Sequence, residues 1–237
     1  MIKKITKAMI LAAGLGTRLR PLTYITPKPI LPLNNHRLID IPLKLLAKYQ
    51  ITEVIINVHH LGNLIEEYVG DGSQFGLRVK YSREPKILGT GGGIKNVADF
   101  FEGEYFITLN ADSLLNLDLD AVIQTHFKQQ AEATMVVKKL GADDDYGKVD
   151  VGSDGLIKKI NNVGEYFYTG VQIAGPKLLE KLPPAGQHSC LIKDGYQKLL
   201  QDQTKVAAHI YDGYFNDVGT PQRYEQAKQD LDKLQLC

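Results

Sequence analysis

Four apolar runs, each alternating with a helix-patterned stretch, limit what this chain can fold into more than any other feature. Ala8–Leu11, Glu53–Val58 (EVIINV), Tyr105–Leu109 (YFITL) and Ala133–Val137 each read as a buried strand. Leu38–Tyr49, Leu61–Val69, Gly93–Phe101 and Leu117–Gln130 carry helical apolar spacing, and Leu77–Tyr81 reads as a further strand. Pro42 confines the regular part of the first helix to the residues after it. This alternation predicts an α/β fold with a doubly wound, mostly parallel mixed sheet, and places ligands at the carboxyl ends of its strands.

After about residue 140 the texture changes. Lys148–Val151, Leu156–Ile160, Tyr166–Ile173 and Val206–Ile210 read as strands, and Leu178–Leu182 and Leu191–Gln201 as helices. A last helix is expected over Pro221–Leu234, with proline at its first position and Thr220 as its cap. No compositional break marks a second domain. The expectation is one domain, residues 1–237, with a nucleotide half to about 140 and a substrate half beyond it.

Charge and cysteine content exclude several classes. Lys plus Arg is 28 and Asp plus Glu is 27, a net +1 that argues against a nucleic-acid footprint. Cys190 and Cys237 belong to no metal-spaced cluster, which points to a reduced, cytoplasmic protein. The first apolar run has no cleavage pattern after it and is too short to span a bilayer, so no membrane partner is expected.

The first strand runs into Gly14-Leu15-Gly16-Thr17-Arg18-Leu19-Arg20-Pro21. Paired glycines let backbone N–H groups approach an anion, and two arginines follow at the loop exit, so the loop reads as a phosphate cradle. It is neither a dinucleotide fingerprint, since Leu19 stands where the third glycine would, nor a Walker loop. Ten residues after Arg18, Lys28 lies between Pro27 and Pro29, whose stiffness can hold an ammonium against a phosphate. Asn110-Ala111-Asp112 and Asp217-Val218-Gly219-Thr220 each put a carboxylate after an apolar stretch. Each has two readings: a ligand for Mg²⁺, which takes one or two carboxylates plus phosphate oxygens, or a turn or cap residue. Gly89-Thr90-Gly91-Gly92-Gly93 likewise reads as a backbone face on which a flat ring can lie, or as a flexible turn before a helix.

Taken in order, Ala12-Ala13-Gly14-Leu15-Gly16-Thr17-Arg18, Pro27-Lys28-Pro29, Gly89-Thr90-Gly91-Gly92, Asn110-Ala111-Asp112 and Asp217-Val218-Gly219-Thr220 resemble the sugar-1-phosphate nucleotidylyltransferases over nearly the whole chain. Gly70-Asp71-Gly72-Ser73-Gln74-Phe75-Gly76-Leu77 resembles the short branch that includes muramate-1-phosphate uridylyltransferases, with the mannose- and heptose-1-phosphate guanylyltransferases close by. The resemblance implies a Rossmann-like sheet and Mg²⁺-dependent transfer from a nucleoside triphosphate, UTP or GTP, to a sugar 1-phosphate, by a monomer or small homo-oligomer. Ala12, Ala13, Gly14, Gly16, Thr17, Arg18 and Lys28 would hold the triphosphate, and Glu84, Gly89, Thr90 and Gly91 the base. Asn110, Gly147 and Gly170 would line the sugar site, Asp112 and Asp217 would bind the metal, and Arg18, Lys28 and both aspartates would carry catalysis.

Two departures bear on substrate choice. Ile160-Asn161-Asn162-Val163 stands where many relatives carry Glu-Lys-Pro. Glu84 stands where uridylyl- and thymidylyltransferases often place glutamine. An ionised carboxylate only accepts hydrogen bonds, which suits guanine, although the muramate branch also has glutamate here; the alternative is a solvated strand-end residue. Two other activities stay open. One is a non-catalytic nucleotide-sugar-binding subunit. The other is a phosphocholine cytidylyltransferase, for which Tyr146, Tyr166, Phe167 and Tyr168 would supply aromatics.

Overall fold

A computed structural model describes residues 4–142, 144–161 and 163–231. Its first elements are β1 (Lys7–Leu11), β2 (Pro32–Leu33), β3 (His36–Arg37), α1 (Asp40–Lys48), β4 (Glu53–Val58), α2 (Gly62–Val69), β5 (Arg78–Arg83) and α3 (Gly89–Asn96). Then come β6 (Phe106–Asn110), β7 (Ser113–Leu115), α4 (Leu119–Gln129), β8 (Ala133–Lys139), β9 (Lys148–Val151), β10 (Ile157–Asn161) and β11 (Tyr166–Ala174). The chain continues through α5 (Pro176–Lys181), α6 (Gln197–Gln201), β12 (Val206–Ile210), β13 (Phe215–Asp217) and α7 (Pro221–Asp230). The α/β fold with a mixed sheet expected from the apolar alternation is the one observed.

The residues group into two compact units, each assembled from separated stretches. The first comprises Thr6–Ile87, Leu109–Leu117 and Gly213–Cys237; the second comprises Met1–Ile5, Leu88–Thr108 and Asp118–Asp212. The final stretch therefore groups with the glycine loop and not with the other residues after 140.

In the first unit β1, β4 and β5 are parallel, with Leu11 opposite Asn57 and Asn57 opposite Ser82. Strands buried on both faces read as continuous apolar runs, which is why β1 and β4 were visible in the sequence. Pro42 falls in the first turn of α1, where its missing N–H has no intrahelical partner to lose. Leu19, Leu33, Leu114, Val218 and Tyr224 share one buried cluster. It ties the loop after β1 and the strands β7 and β13 to α7. Burying side chains of this size is worth about 1.5–3 kcal/mol each. The Tyr224 hydroxyl also donates to the Pro32 carbonyl. β7 and β13 pair antiparallel, Ser113 opposite Asp217.

In the second unit β11 is the central strand, antiparallel to β6, β8 and β9. β8 pairs parallel with β12, and β9 antiparallel with β10. The β11–β8 register shifts between Tyr168 and Gln172, and Gly170 sits in that bulge with φ +86°. Glycine adopts that conformation without a Cβ clash. α4 is capped by Asp118, whose side chain accepts from the Ala121 N–H.

Three boundaries differ from expectation. α3 starts at Gly89, inside the glycine run, and ends at Asn96; a 3-10 turn over Ala98–Phe101 follows. Leu191–Gln201 opens as a π-helical turn, Leu191–Tyr196, before α6. α7 is described to Asp230, with Thr220 Oγ1 capping the Arg223 N–H at 3.3 Å; Leu234, Cys237 and Asn162 lie outside the described residues. Among the described residues no helix is long and apolar enough to cross a membrane.

Candidate active site

The glycine loop leaves β1 inside the first unit. Gly16 has φ +62° and caps a 3-10 turn over Thr17–Leu19. A Cβ on Gly16 would lie 2.9 Å from Thr23 Cγ2 and 3.2 Å from Lys28 Cβ, so glycine is required by conformation and by space. Gly14 is different, since a Cβ there would meet nothing within 4 Å. Thr17 and Arg18 are exposed, and Ala12 and Ala13 buried. The Arg20 guanidinium sits over the Tyr24 ring, 5.1 Å from its centroid.

The structure brings Lys28, Asp112 and Asp217 together. Lys28 follows Pro27 at the start of a 3-10 turn, and its side chain is largely buried. Its ammonium pairs with Asp112 Oδ2 and lies 3.9 Å from Asp217 Oδ1. The two aspartates meet because β7 pairs with β13 and the Val218 N–H donates to the Asp112 carbonyl at 3.1 Å. The Ala111 N–H donates to the Leu11 carbonyl at 3.1 Å, which fixes the Asn110–Asp112 segment beside the start of the glycine loop. Neither aspartate is a helix cap; Asp118 and Thr220 do that work for α4 and α7.

Two cations face Asp217 besides Lys28. Arg223 Nη1 lies 3.9 Å from its Oδ2. The Arg18 guanidinium packs on Gly219, where a Cβ would fall 3.0 Å from Nη2. Burial, then the neighbouring Asp112 charge, pushes the Asp217 carboxyl above the ordinary range, while Lys28, Arg18 and Arg223 pull it down. Two carboxylates thus share one ammonium in a half-buried site. Their oxygens are hard donors, which fit a divalent ion that takes its remaining ligands from phosphate and water.

Glu84 is not a solvated strand-end residue. It is 4% exposed and accepts at Oε1 from Asn57 Nδ2 at 2.7 Å. Asn57 Oδ1 in turn accepts the Ala12 N–H at 2.8 Å, so that N–H is spent within the protein and not offered to a phosphate. Sequence reading passed over Asn57; its signal was an amide inside an otherwise apolar strand. Thr23, His60 and Arg223 were passed over too, and nothing in their local sequence sets them apart.

The remaining expected residues, apart from half-buried Asn110 at the end of β6, lie in the second unit. The Gly89 to Gly92 turn is not an open face. A Cβ at Gly89 would lie 2.6 Å from the Ser189 carbonyl, at Gly91 2.5 Å from Ser189 Oγ, and at Gly92 2.4 Å from the Gln187 carbonyl. The Gly91 N–H donates to the Ser189 carbonyl at 3.1 Å. These glycines let residues 187–191 pack on the start of α3. Thr90, between them, is exposed, as is Gly147, where a Cβ would meet nothing within 4 Å. Tyr146 stacks on Phe167 with ring centroids 4.3 Å apart, so these two aromatics are engaged with each other.

Residues 7–233 match the family model described as nucleotidyl transferase. The N-acetylmuramate alpha-1-phosphate uridylyltransferase of Neisseria meningitidis is 33% identical, over 94% of this chain and 96% of that protein. The UTP–glucose-1-phosphate uridylyltransferase of Synechocystis is 32% identical over 93% of this chain but only 62% of its own length. Against longer relatives of that kind the chain spans less than two thirds of their length. Among solved structures, HddC from Yersinia pseudotuberculosis complexed with GMP-PN has a TM-score of 0.81 at 24% identity and covers 96% of this chain, a likeness of fold.

Proposed function

This chain belongs to the nucleotidyl transferase family, and we propose that it transfers a nucleotidyl group from UTP or GTP to a sugar 1-phosphate. The observation that carries the reading is the convergence of Lys28, Asp112 and Asp217 beside the glycine loop, with Arg18 against Gly219. The activities that name the relatives, uridylyl transfer in the Neisseria protein and guanylyl transfer in a Campylobacter jejuni heptose 1-phosphate guanylyltransferase 32% identical to this chain, support the substrate class. A muramate-, mannose- or heptose-type sugar is the proposed acceptor. These substrates suit a cytoplasmic setting, which is part of the proposal.

The acceptor is a phosphate oxygen that is already ionised at neutral pH, so no general base is needed. It attacks the α-phosphorus, a new P–O bond forms, and the bond to the bridging oxygen breaks in line, with pyrophosphate leaving. The obstacle is repulsion between two polyanions. Lys28 and Arg18 would balance charge on the α-phosphate and on the departing pyrophosphate. The exposed loop around Gly14 and Thr17 would hold the triphosphate in place. Asp112 and Asp217 would hold Mg²⁺, which when bound adds electrostatic stabilisation of the phosphate oxygens. Thr90 with its neighbours Gly89 and Gly91 is proposed to contribute to base selection, and Gly147 and Gly170 to sugar selection.

A matrix assay tests this. Pyrophosphate release is measured with Mg²⁺ for each nucleoside triphosphate crossed with several sugar 1-phosphates and phosphocholine. Release is expected with UTP or GTP and a sugar 1-phosphate. Silence in every well overturns the catalytic reading in favour of a binding subunit, and release only with CTP and phosphocholine replaces the substrate class.

A further inference from the structure

We infer that Asn57 and Glu84 form a buried relay that sets the glycine loop, with Glu84 a positioning residue acting through Asn57 and not a reader of the base. The inference rests on the transfer reaction proposed above for its kinetic readout, and on geometry for the rest.

Leu11 and Asn57 are the last paired residues of the β1–β4 ladder. Beyond them the chain departs for the loop, and the next donor, the Ala12 N–H, loses its ladder partner. A buried unpaired N–H is costly, and Asn57 Oδ1 removes that cost at 2.8 Å. Because the Ala12 N–H can only donate, the atom facing it must be the amide oxygen. That settles an orientation otherwise open to a flip. Nδ2 then has to point at Glu84, which accepts at 2.7 Å.

Glu84 is itself built in. Its N–H donates to the Val58 carbonyl at 2.8 Å, and its carbonyl accepts from His59 Nδ1 at 2.7 Å. A carboxylate acceptor makes the Asn57 bond charge-assisted and so stronger than an amide pair. The same strand end also holds the far side of the loop: His60 Nε2 donates to the Thr23 carbonyl at 3.2 Å, and Thr23 Oγ1 donates to the Gly16 carbonyl at 2.8 Å. Residues 57–60 therefore hold both ends of the segment that leads into Arg18.

The relay has a polarity that substitutions can reverse. Glu84→Gln keeps an acceptor for Asn57. Glu84→Ala removes it. Asn57→Asp sets two carboxylates face to face in a buried place. Adding Glu84→Gln to Asn57→Asp restores a donor–acceptor pair running the other way, with the net charge unchanged. The full-length variants are compared by kcat/KM for UTP and for GTP, and by amide hydrogen exchange over Leu11–Arg18 without ligand.

Expected are a Glu84→Gln enzyme within about threefold of the parent with an unchanged UTP-to-GTP ratio, and a Glu84→Ala enzyme about 10- to 100-fold weaker with both triphosphates alike. Loop exchange should quicken about tenfold in Glu84→Ala and Asn57→Asp, and return in the double variant. A shift in the UTP-to-GTP ratio on Glu84→Gln makes Glu84 a base reader and overturns the inference. So does unchanged loop exchange in Glu84→Ala. If the parent transfers nothing to any sugar phosphate, the proposed function fails, and the exchange result alone decides the relay.

Discussion

Two glycine-rich turns, one in each unit, look alike in sequence and do different work. In Gly14-Leu15-Gly16 one glycine faces open space and the other is wedged against Thr23 and Lys28, so the loop keeps an exposed edge while its base is fixed. In Gly89-Thr90-Gly91-Gly92 the glycines face protein, because residues 187–191 occupy the room a Cβ would need. The same residue type leaves an open edge in one place and permits close packing in the other. Cationic side chains mark the difference. Arg18 follows the first turn and Lys28 packs against Gly16 within it, and Lys28 meets two carboxylates.

The largest effect expected is chemical and confined to the first turn's surroundings. Asp112→Asn removes a proposed metal ligand and the ion pair with Lys28 while keeping its shape, and turnover should fall by about 10²–10³-fold. Near-normal turnover, with Mg²⁺ saturating, would break the assignment of this site as catalytic.

The next tests are of folding and belong to the second unit. His126 on α4 is 1% exposed, and burial pushes its imidazole down to about 4. Its Nδ1 meets Thr134 Oγ1 at 2.9 Å, and among the described residues its Nε2 has no partner. The folded value lies below the ordinary 6.5, so between the two the unfolded chain binds a proton that the native protein does not. Stability from this group is complete above about pH 6.5 and is lost as pH falls toward 4, by up to about 3 kcal/mol. Urea titrations at pH 7 and pH 4.5 measure it, and His126→Gln should shrink the difference. Gly92→Ala should cost about 1–3 kcal/mol of stability, because its Cβ meets a backbone carbonyl. Gly14→Ala should change stability by less than about 0.5 kcal/mol. Equal losses in the two alanine variants would erase the contrast between the turns.

The smallest catalytic effect expected is at Gly219. Alanine there presses on the end of a flexible Arg18 side chain, which can yield, so kcat/KM should drop by about tenfold, less than for Arg18→Ala. A Gly219→Ala enzyme as weak as Arg18→Ala would show that the guanidinium has no alternative position.

Much of this was legible in the residues. The buried strands β1, β4 and β8 announced themselves because both faces are apolar, and Lys28 stood out between its prolines. β7 and β13 did not, since strands of three residues carry no readable period. Their pairing is what joins Asp112 to Asp217. The glycine run concealed the start of α3, because glycine's poor helix propensity argued against a helix that packing imposes. The burial of Glu84 was not legible because its partner Asn57 is distant in sequence and only the β4–β5 pairing puts them together.

The β7–β13 pairing also sets an order of events during synthesis. Asp112 leaves the ribosome long before Asp217, so a nascent chain carries the glycine loop, Lys28 and one aspartate while the second has yet to be made. The acidic pair forms only when β13 arrives to lie along β7. The buried cluster under Leu19 also waits for Val218 and Tyr224, so the same last stretch of chain completes both the support of the glycine loop and the acidic pair.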